Sequence, residues 1–189
     1  MSTGFKIGKK SAQVLDEVHD DLALLATHAL LEESKYDIGF NCGIRSQHEQ
    51  NSRFASGVSK TTNSRHLPRV TKKKPIYPRD NSRIERKEPV SHAIDIGAVK
   101  NLLPNMTREQ TDREVCLKFA DAMRLACNKY KISCIWGGSW CDLLYMKTYE
   151  ELEESVNVYI ARCKKEKKKP LVDMFHFNLT WLDYPVVPV

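Results

Sequence analysis

The sequence predicts an α+β fold in which a small antiparallel sheet packs against helices. Long segments repeat apolar residues at intervals of three and four, the period of a helix that is buried on one face. Short segments alternate apolar and polar residues, and they do not repeat in a strand–helix–strand order. The chain has 189 residues, 41% of them hydrophobic and 29% charged, which excludes chain-wide disorder and predicts one domain over residues 1–189.

The first half of the chain predicts two helices and two strands. Apolar residues from Val14 to Ala29 keep helical spacing, which predicts one continuous helix over residues 11–33 with Ser11 as its cap. The other elements of this half are a strand over residues 36–42, a helix over residues 46–55 and a strand over residues 91–97.

The second half predicts two helices and two further strands. Thr107 and Gln110 form a capping box that begins a long helix extending toward Tyr130. A strand over residues 132–136 and a helix over residues 149–163 follow. The last strand covers residues 175–179, where His176 and Asn178 alternate with apolar residues.

The net charge of +6 is concentrated in two segments. Residues 68–90 contain eight basic and three acidic residues, and residues 162–169 contain six basic and one acidic. Four prolines and no periodicity predict that residues 68–90 form a basic loop insertion. Such segments favour an anionic polymer, which leaves nucleic acid, a lipid surface and bacterial cell wall open, beside the alternative of two solvated loops.

Cysteine usage and hydropathy predict a reduced protein that folds in a cytoplasm. The six cysteines include no C-x-x-C pair, which argues against a zinc ribbon or a thioredoxin-type centre. No apolar stretch approaches the ~20 residues of a membrane span, and residues 1–10 lack the apolar core of a signal peptide.

Three of the six histidines are candidates for chemistry. His19, His28 and His48 lie within predicted helices and are interpreted as structural or unexceptional, and H-E-x-x-H, P-loop, G-x-S-x-G and dinucleotide motifs are absent. The other three, His66, His92 and His176, lie at or beside predicted strand edges.

A catalytic zinc site needs three protein ligands and an open position, and His66, Asp95 and His176 supply such a set. Strand alternation places Asp95 on one face with the small residues Ala93 and Gly97, which leaves room for a metal, and turns His92 the other way. A purely structural role is the alternative for each residue taken alone.

Six segments carry a family resemblance. In chain order they are F-K-I-G-K-K-S (5–11), G-I-R-S-Q-H-E-Q (43–50), S-R-H (64–66), S-H-A-I-D (91–95), W-G-G-S-W (136–140) and D-M-F-H-F (173–177). Together they resemble the VanY-type zinc D-Ala-D-Ala and L-Ala-D-Glu peptidases, which share a core with lysostaphin and the hedgehog signalling domain. The first segment resembles the start of phage endolysins of this family.

The resemblance implies a role for each matched residue. It implies that His66, Asp95 and His176 bind zinc and that Asp173, in the turn before the last strand, is the general base. Arg45 would supply a fixed cation for the scissile carbonyl or a substrate carboxylate, with a salt bridge at the helix entry as the alternative. Trp136 and Trp140 are expected either to wall the cleft or to belong to the core.

The chain departs from the family pattern in two places. Twenty-eight residues separate His66 from Asp95, where the family usually has six, and the excess is the basic insertion. Ser91 replaces the glycine of the family's G-x-A-x-D motif. We therefore expect altered local geometry after His66 and at the turn into the metal-binding strand.

The function that the resemblance implies is that of a phage endolysin that cleaves the L-Ala-D-Glu bond of the peptidoglycan stem peptide. Such an enzyme would act as a monomer, without specific nucleic acid or membrane insertion, and would stay in the host cytoplasm until lysis. The alternatives are a D-Ala-D-Ala carboxypeptidase and, from another class, a non-catalytic module that binds cell wall or nucleic acid.

Overall fold

A five-stranded sheet with helices on one face forms the centre of the fold, which confirms the predicted α+β class. The structure is a computed structural model that describes residues 2–71 and 88–187, so most of the predicted insertion over residues 68–90 lies outside the described residues. In chain order the described helices and strands are α1 (Lys9–Glu17), α2 (Asp20–His28), a π-helical turn (Ala29–Glu33), β1 (Phe40–Cys42), α3 (Gln47–Ala55), β2 (Val70–Thr71), β3 (Ala93–Ile96), α4 (Arg108–Tyr130), β4 (Cys134–Trp136), β5 (Cys141–Asp142), a 3₁₀ turn (Leu143–Tyr145), α5 (Tyr149–Lys165), β6 (His176–Leu179) and β7 (Val186–Val187).

The sheet has the strand order β1-β3-β6-β4-β5, and all of its neighbours are antiparallel. Asp95 of β3 lies opposite Cys42 of β1 and opposite His176 of β6. Because directly opposed residues are neighbours on one face of an antiparallel sheet, this register forms a row of three potential ligand residues across the strands.

The two faces of the sheet differ in chemistry. Ile94 and Phe177 point into the core, where Phe177 meets Phe119 of α4 in an edge-to-face contact at 5.7 Å between ring centroids. Since side chains alternate along a strand, Asp95 and His176 point to the opposite face. The helices therefore bury one face and leave the other to form a cleft.

The predicted continuous helix over residues 11–33 is wrong at one point, because Val18 and His19 interrupt it. Val18 adopts an extended conformation and bridges Ser91, where the His19 amide donates to the Ser91 carbonyl (2.8 Å) and the Ser91 amide donates to the Glu17 carbonyl (2.9 Å). Nδ1 of His19 then caps α2 by accepting from the Asp21 amide. Pairing with a distant segment thus outweighs local helix propensity.

The predicted Ser11 cap is also wrong, because α1 begins at Lys9 after Gly8 and the Ser11 hydroxyl accepts from the Phe40 amide instead. The other predicted elements are present with shifted ends. Ser46 caps α3, and Thr107 and Gln110 form the predicted capping box of α4. The strand predicted over residues 36–42 is shorter, and the short β2–β7 pair and β5 were not predicted. None of the helices within residues 2–71 and 88–187 combines the length and hydropathy needed to cross a membrane.

Candidate active site

Three electron-pair donors converge on the open face of the sheet. Nε2 of His66 and Nδ1 of His176 lie 3.0 Å and 2.9 Å from Oδ1 of Asp95, and the two nitrogens are 3.2 Å apart. Asp95 and His176 come from the paired strands β3 and β6, whereas His66 comes from the turn that follows residues 59–64. The structure therefore brings together the three residues that the sequence predicts as ligands.

In each imidazole, the nitrogen that faces away from Asp95 (the outer nitrogen) donates a hydrogen bond to an acceptor. Nδ1 of His66 donates to the Gly43 carbonyl (2.7 Å), and Nε2 of His176 donates to Oδ1 of Asn178 (3.1 Å). The Asn178 amide is itself oriented, because its Nδ2 donates to the Leu179 carbonyl. Partners of this kind fix the tautomer and ring orientation of metal-binding histidines. Both inner nitrogens thus present lone pairs to each other and to Asp95.

Three acceptors that face one another need a cation between them. Without a metal, a proton takes that place. Burial opposes protonation of His66, but the hydrogen bond and charge of Asp95 outweigh it and raise the pKa of His66 to about 9. Burial also opposes ionisation of Asp95, yet hydrogen bonds from His176 and His66 hold the pKa of its carboxyl well below the ordinary value.

The spacing of these atoms fits a small tetrahedral ion. Zinc binds histidine and carboxylate ligands at ~2.0–2.2 Å, which places two ligands of one tetrahedron about 3.3 Å apart. The three observed separations, 2.9 to 3.2 Å, are close to that value. Two imidazoles, one carboxylate and an adjoining cleft thus fit a three-ligand site with an open position.

Cys42 belongs to a second possible grouping at the same place. A ligand atom of Cys42 lies within 4.8 Å of those of His66 and Asp95, so these three residues also form a candidate metal site. However, its Sγ approaches Nδ1 of His66 (3.8 Å), the nitrogen that the Gly43 carbonyl already occupies. We favour His176 as the third ligand because its nitrogen faces Nε2 of His66 and Oδ1 of Asp95 directly.

Arg45 is buried behind Asp95. Its Nη2 lies 3.4 Å from Oδ2 of Asp95, the oxygen that faces away from the histidines, and its Nη1 donates to Oε1 of Gln50 (2.8 Å). Its Nε also lies 3.7 Å from Glu49, one turn along α3. The structure shows the alternative, an ion pair at the helix entry, together with an ion pair to Asp95. The expected role of Arg45 toward a substrate stays a prediction.

The turn at Gly137 and Gly138 positions Asp173. The Asp173 amide donates to the Gly137 carbonyl, the Gly137 amide donates to the His176 carbonyl, and both distances are 2.9 Å. A Cβ at Gly137 would lie 2.4 Å from the Asp173 carbonyl oxygen, so only glycine permits this approach. Asp173 therefore precedes β6 in a turn, as predicted.

The Asp173 side chain reaches solvent within the walls of the cleft. Partial desolvation raises the pKa of its carboxyl above the ordinary value, and the nearby charge of Asp95 acts in the same direction. A carboxyl group with a raised pKa is suited to accept a proton and to release it again near neutral pH.

The two tryptophans have different roles. Trp136 is fully buried, and its Nε1 donates to the Met174 carbonyl (2.9 Å). Trp140 lines the cleft with its ring 5.7 Å from that of His176, and its Nε1 donates to the Leu171 carbonyl. Trp136 thus belongs to the core and Trp140 to the cleft wall, so each of the two expected alternatives describes one of the tryptophans.

Ser91, which stands where the family motif has glycine, forms hydrogen bonds within the turn into β3. Its hydroxyl donates to the Ala93 carbonyl (2.6 Å) and lies 3.1 Å from the Ala93 amide, while the His92 amide donates to the Arg65 carbonyl (2.9 Å). This last bond ties the segment before Asp95 to the residue before His66. His92 itself points away from the site and packs against His19 at 5.3 Å between ring centroids.

Sequence reasoning missed the outer partners of the ligands. Asn178 had a usable signal, since it lies two residues after His176 on the same face of a strand. The Gly43 carbonyl gave none, because it is a backbone atom. Cys42 is free, as expected for a reduced protein, but its position beside His66 was not predicted.

The site opens into a cavity of about 500 Å³ that Arg45, His66, Asp95, Asp173 and His176 line together. An α+β fold with a candidate metal site, a carboxyl of raised pKa and an adjoining cleft is suited to metal-assisted hydrolysis, and the sequence motifs predict a peptidase.

Comparisons with known proteins identify the family. Residues 3–151 match the family described as phage L-alanyl-D-glutamate peptidase, so the chain belongs to that family. The predicted peptidoglycan endopeptidase function is thereby confirmed. The matched range includes Arg45, His66 and Asp95 but ends before Asp173 and His176. None of the curated proteins matches the chain significantly.

A solved structure supports the fold over nearly the whole chain. The L-Ala D-Glu endopeptidase ChiX of Serratia marcescens is similar with a TM-score of 0.57 and 23% sequence identity. The match covers 93% of this chain and 90% of that protein, so it extends over the segment that the family match leaves out.

Proposed function

We propose that this peptidase is zinc-dependent, that His66, Asp95 and His176 hold the metal, and that Asp173 is the general base. The observation that carries the proposal is the convergence of two imidazole lone pairs and one carboxylate oxygen within 3.2 Å of one another. Two nitrogen ligands and one oxygen ligand suit zinc, whereas magnesium and calcium prefer oxygen ligands.

Zinc at this position would supply Lewis acidity that activates the attacking water and polarises the scissile carbonyl. Asp173 accepts a proton from that water as the oxygen bonds to the carbonyl carbon. It then delivers the proton to the leaving amine nitrogen as the carbon–nitrogen bond breaks. The raised pKa of Asp173 supports both steps, since the same carboxyl must gain and lose a proton in each turnover.

Arg45 has two tasks in this proposal. Through Nη2 it holds Oδ2 of Asp95, so that Oδ1 stays directed at the histidines. As a charged group in the cleft lining it also attracts the substrate, whose scissile carbonyl gains negative charge during the reaction. Gln50 and Glu49 fix the guanidinium from the other side.

The substrate bond that we propose is the one between L-Ala and D-Glu, which is the bond that the family description and the name of the similar Serratia enzyme both specify. We also propose that the protein is a monomer. It would accumulate in the host cytoplasm until lysis and then act on the bacterial cell wall. Sedimentation of the purified protein would measure the oligomeric state.

The test combines ligand variants with product analysis. His66→Ala, Asp95→Ala and His176→Ala are each expected to lose bound zinc and the lysis of purified sacculi while keeping a cooperative unfolding transition. His48→Ala is the matched control, because His48 is an exposed histidine on α3 and should keep both zinc and activity. Mass analysis of the digested sacculi should find new amino-terminal D-Glu.

Three outcomes would contradict the proposal. Stoichiometric zinc and wild-type lysis in any of the three variants would remove that residue from the ligand set. Release of free D-Ala, rather than amino-terminal D-Glu, would identify a carboxypeptidase. Binding to sacculi without any fragment released by the zinc-loaded wild type would identify a non-catalytic wall-binding module.

A further inference from the structure

An exposed tryptophan stands at the rim of the catalytic cleft. Trp181 follows β6 and is 46% exposed, although its ring lines the same cavity as His66, Asp95 and His176. Its place in the lining of this cavity, rather than its exposure alone, makes it a candidate contact for a bound substrate. None of the catalytic roles proposed above uses this residue.

Buried cationic support holds the indole in place. The guanidinium of Arg65 lies 3.6 Å from the ring centroid of Trp181, and its Nη2 donates to the Leu179 carbonyl. Arg65 is only 6% exposed. A second guanidinium, that of Arg69, lies 5.6 Å from the same centroid and is bonded to Asn63. The indole is thus a fixed flat surface with hydrogen-bond donors beside it.

Trp181 and Arg65 lie on the same two chain segments as two of the proposed ligands, His176 and His66. Arg65 directly precedes His66, and Trp181 follows His176 by five residues on the same segment. Because Trp181 and the proposed ligands line one cavity, a substrate that extends from the metal site toward this rim would lie beside the indole.

The chemistry of the stem peptide identifies what extends there. In peptidoglycan the amino group of L-Ala is acylated by the lactyl ether of an N-acetylated amino sugar. Because one extended residue spans ~3.3–3.6 Å, the sugar begins roughly 7 Å from the L-Ala carbonyl. An enzyme that cuts after L-Ala must therefore accommodate the sugar at its cleft rim, whereas a D,D-carboxypeptidase would hold it three residues further away.

We propose that Trp181, supported by Arg65, forms a saccharide subsite that stacks on the muramic acid ring attached to the stem peptide. This inference rests on the proposed L-Ala-D-Glu specificity. The C–H groups on the apolar face of a pyranose ring pack against the indole, which offers a large, rigid apolar surface. Arg69 supplies donors for the hydroxyl and acetamido oxygens. The subsite makes the enzyme prefer glycan-linked stems over free peptides.

The test compares two substrates that differ only in the sugar. One is N-acetylmuramoyl-L-Ala-D-Glu-diamino acid, and the other is the same tripeptide with an N-acetyl group in place of the muramoyl group. The zinc-loaded wild type should cleave the first with the higher kcat/KM. Trp181→Ala should reduce the ratio of the two kcat/KM values about tenfold, which corresponds to ~1.4 kcal/mol, mainly through KM of the muramoyl substrate.

Two further variants complete the design. Trp181→Phe retains a ring and should keep most of the preference. Leu182→Ala changes the adjacent side chain, which is 90% exposed, and should leave the ratio at the wild-type value. An equal loss on both substrates in Trp181→Ala would show that the indole acts only through Arg65 and His66, and would overturn the proposal. An unchanged ratio would overturn it as well.

Failure of the proposed function would look different. If the wild type released no amino-terminal D-Glu from either substrate, the assignment of the bond would fall, whatever the Trp181 variants did.

Discussion

Replacing Gly137 by alanine should disable the site without touching a ligand. A Cβ at this position would lie 2.4 Å from the Asp173 carbonyl oxygen and 3.1 Å from Cβ of His176. Real Cβ atoms essentially never approach other atoms within 3.0 Å, so the Asp173 carbonyl must retreat by about 0.6 Å or more. Because the first obstacle is a backbone atom, no side-chain rotation relieves it.

The displacement acts on two residues of the proposed site. Two 2.9 Å hydrogen bonds join Gly137 to Asp173 and to His176, so the retreat moves the proposed base and a proposed ligand together. Overpacking of this kind costs ~1–3 kcal/mol of unfolding free energy, and a 1 Å misplacement near reacting groups costs ~10²-fold in rate. We expect Gly137→Ala to lose roughly 10- to 100-fold in kcat/KM and to bind zinc more weakly.

Three measurements on one preparation check this expectation: urea unfolding, zinc content after dialysis, and kcat/KM on a soluble stem peptide. Gly8→Ala is the control, because a Cβ at Gly8 meets no atom within 4 Å and its φ of −70° suits any residue. If Gly137→Ala matched the control in all three measurements, the close approach would not be what positions Asp173 and His176.

Three other predictions concern protons. Asp173→Asn should retain about one zinc per chain but lose ~10²- to 10⁴-fold in rate, because an amide cannot accept the proton of water. Metal content and turnover of the variant measure both effects. Full activity would remove Asp173 from the mechanism. Zinc must displace the proton of His66, whose pKa in the metal-free protein is about 9, so apparent zinc affinity should rise about tenfold per pH unit from pH 7 and level off above pH 9. The same raised pKa stabilises the metal-free fold below the unfolded histidine pKa of ~6.5, and this contribution should disappear as the pH rises through about 9. A zinc titration that is flat between pH 7 and pH 9 would contradict this account of His66.

Local signals in the sequence predicted the parts of the fold that local physics determines. The capping box at Thr107 and Gln110 lies where α4 begins, because both of its hydrogen bonds form within one turn. The alternation in β6 assigned Phe177 to the core and His176 to the other face, since it depends only on the pleat of a strand. The register between Asp95 and His176 is a long-range property that no local pattern contains.

The interrupted first helix shows why periodicity failed there. Val14, Leu22 and Leu25 are all buried, and their spacing stays helical across the interruption. A pattern of apolar residues records which side chains face the core, not whether the backbone between them is continuous. What breaks the helix is the pairing of Val18 with Ser91, which lies 73 positions later in the chain.

Backbone pairing at the two ends of the insertion explains how His66 and Asp95, the two proposed ligands, tolerate a long segment between them. The chain before and after the insertion is closed at its base, where Arg69 and Val90 exchange both backbone hydrogen bonds at 3.0 Å. Closer to the site, the His92 amide donates to the Arg65 carbonyl. This hydrogen bond fixes the segments that carry His66 and Asp95 to one another through the backbone. Closure entropy grows as about 1.5 RT ln n, so lengthening the spacing from six to 28 residues costs only about 1.4 kcal/mol. A few backbone hydrogen bonds at ~1 kcal/mol each offset that cost. The number of residues between His66 and Asp95 is therefore a weak guide to the geometry of the site. The backbone hydrogen bonds that close the base of the insertion determine that geometry instead.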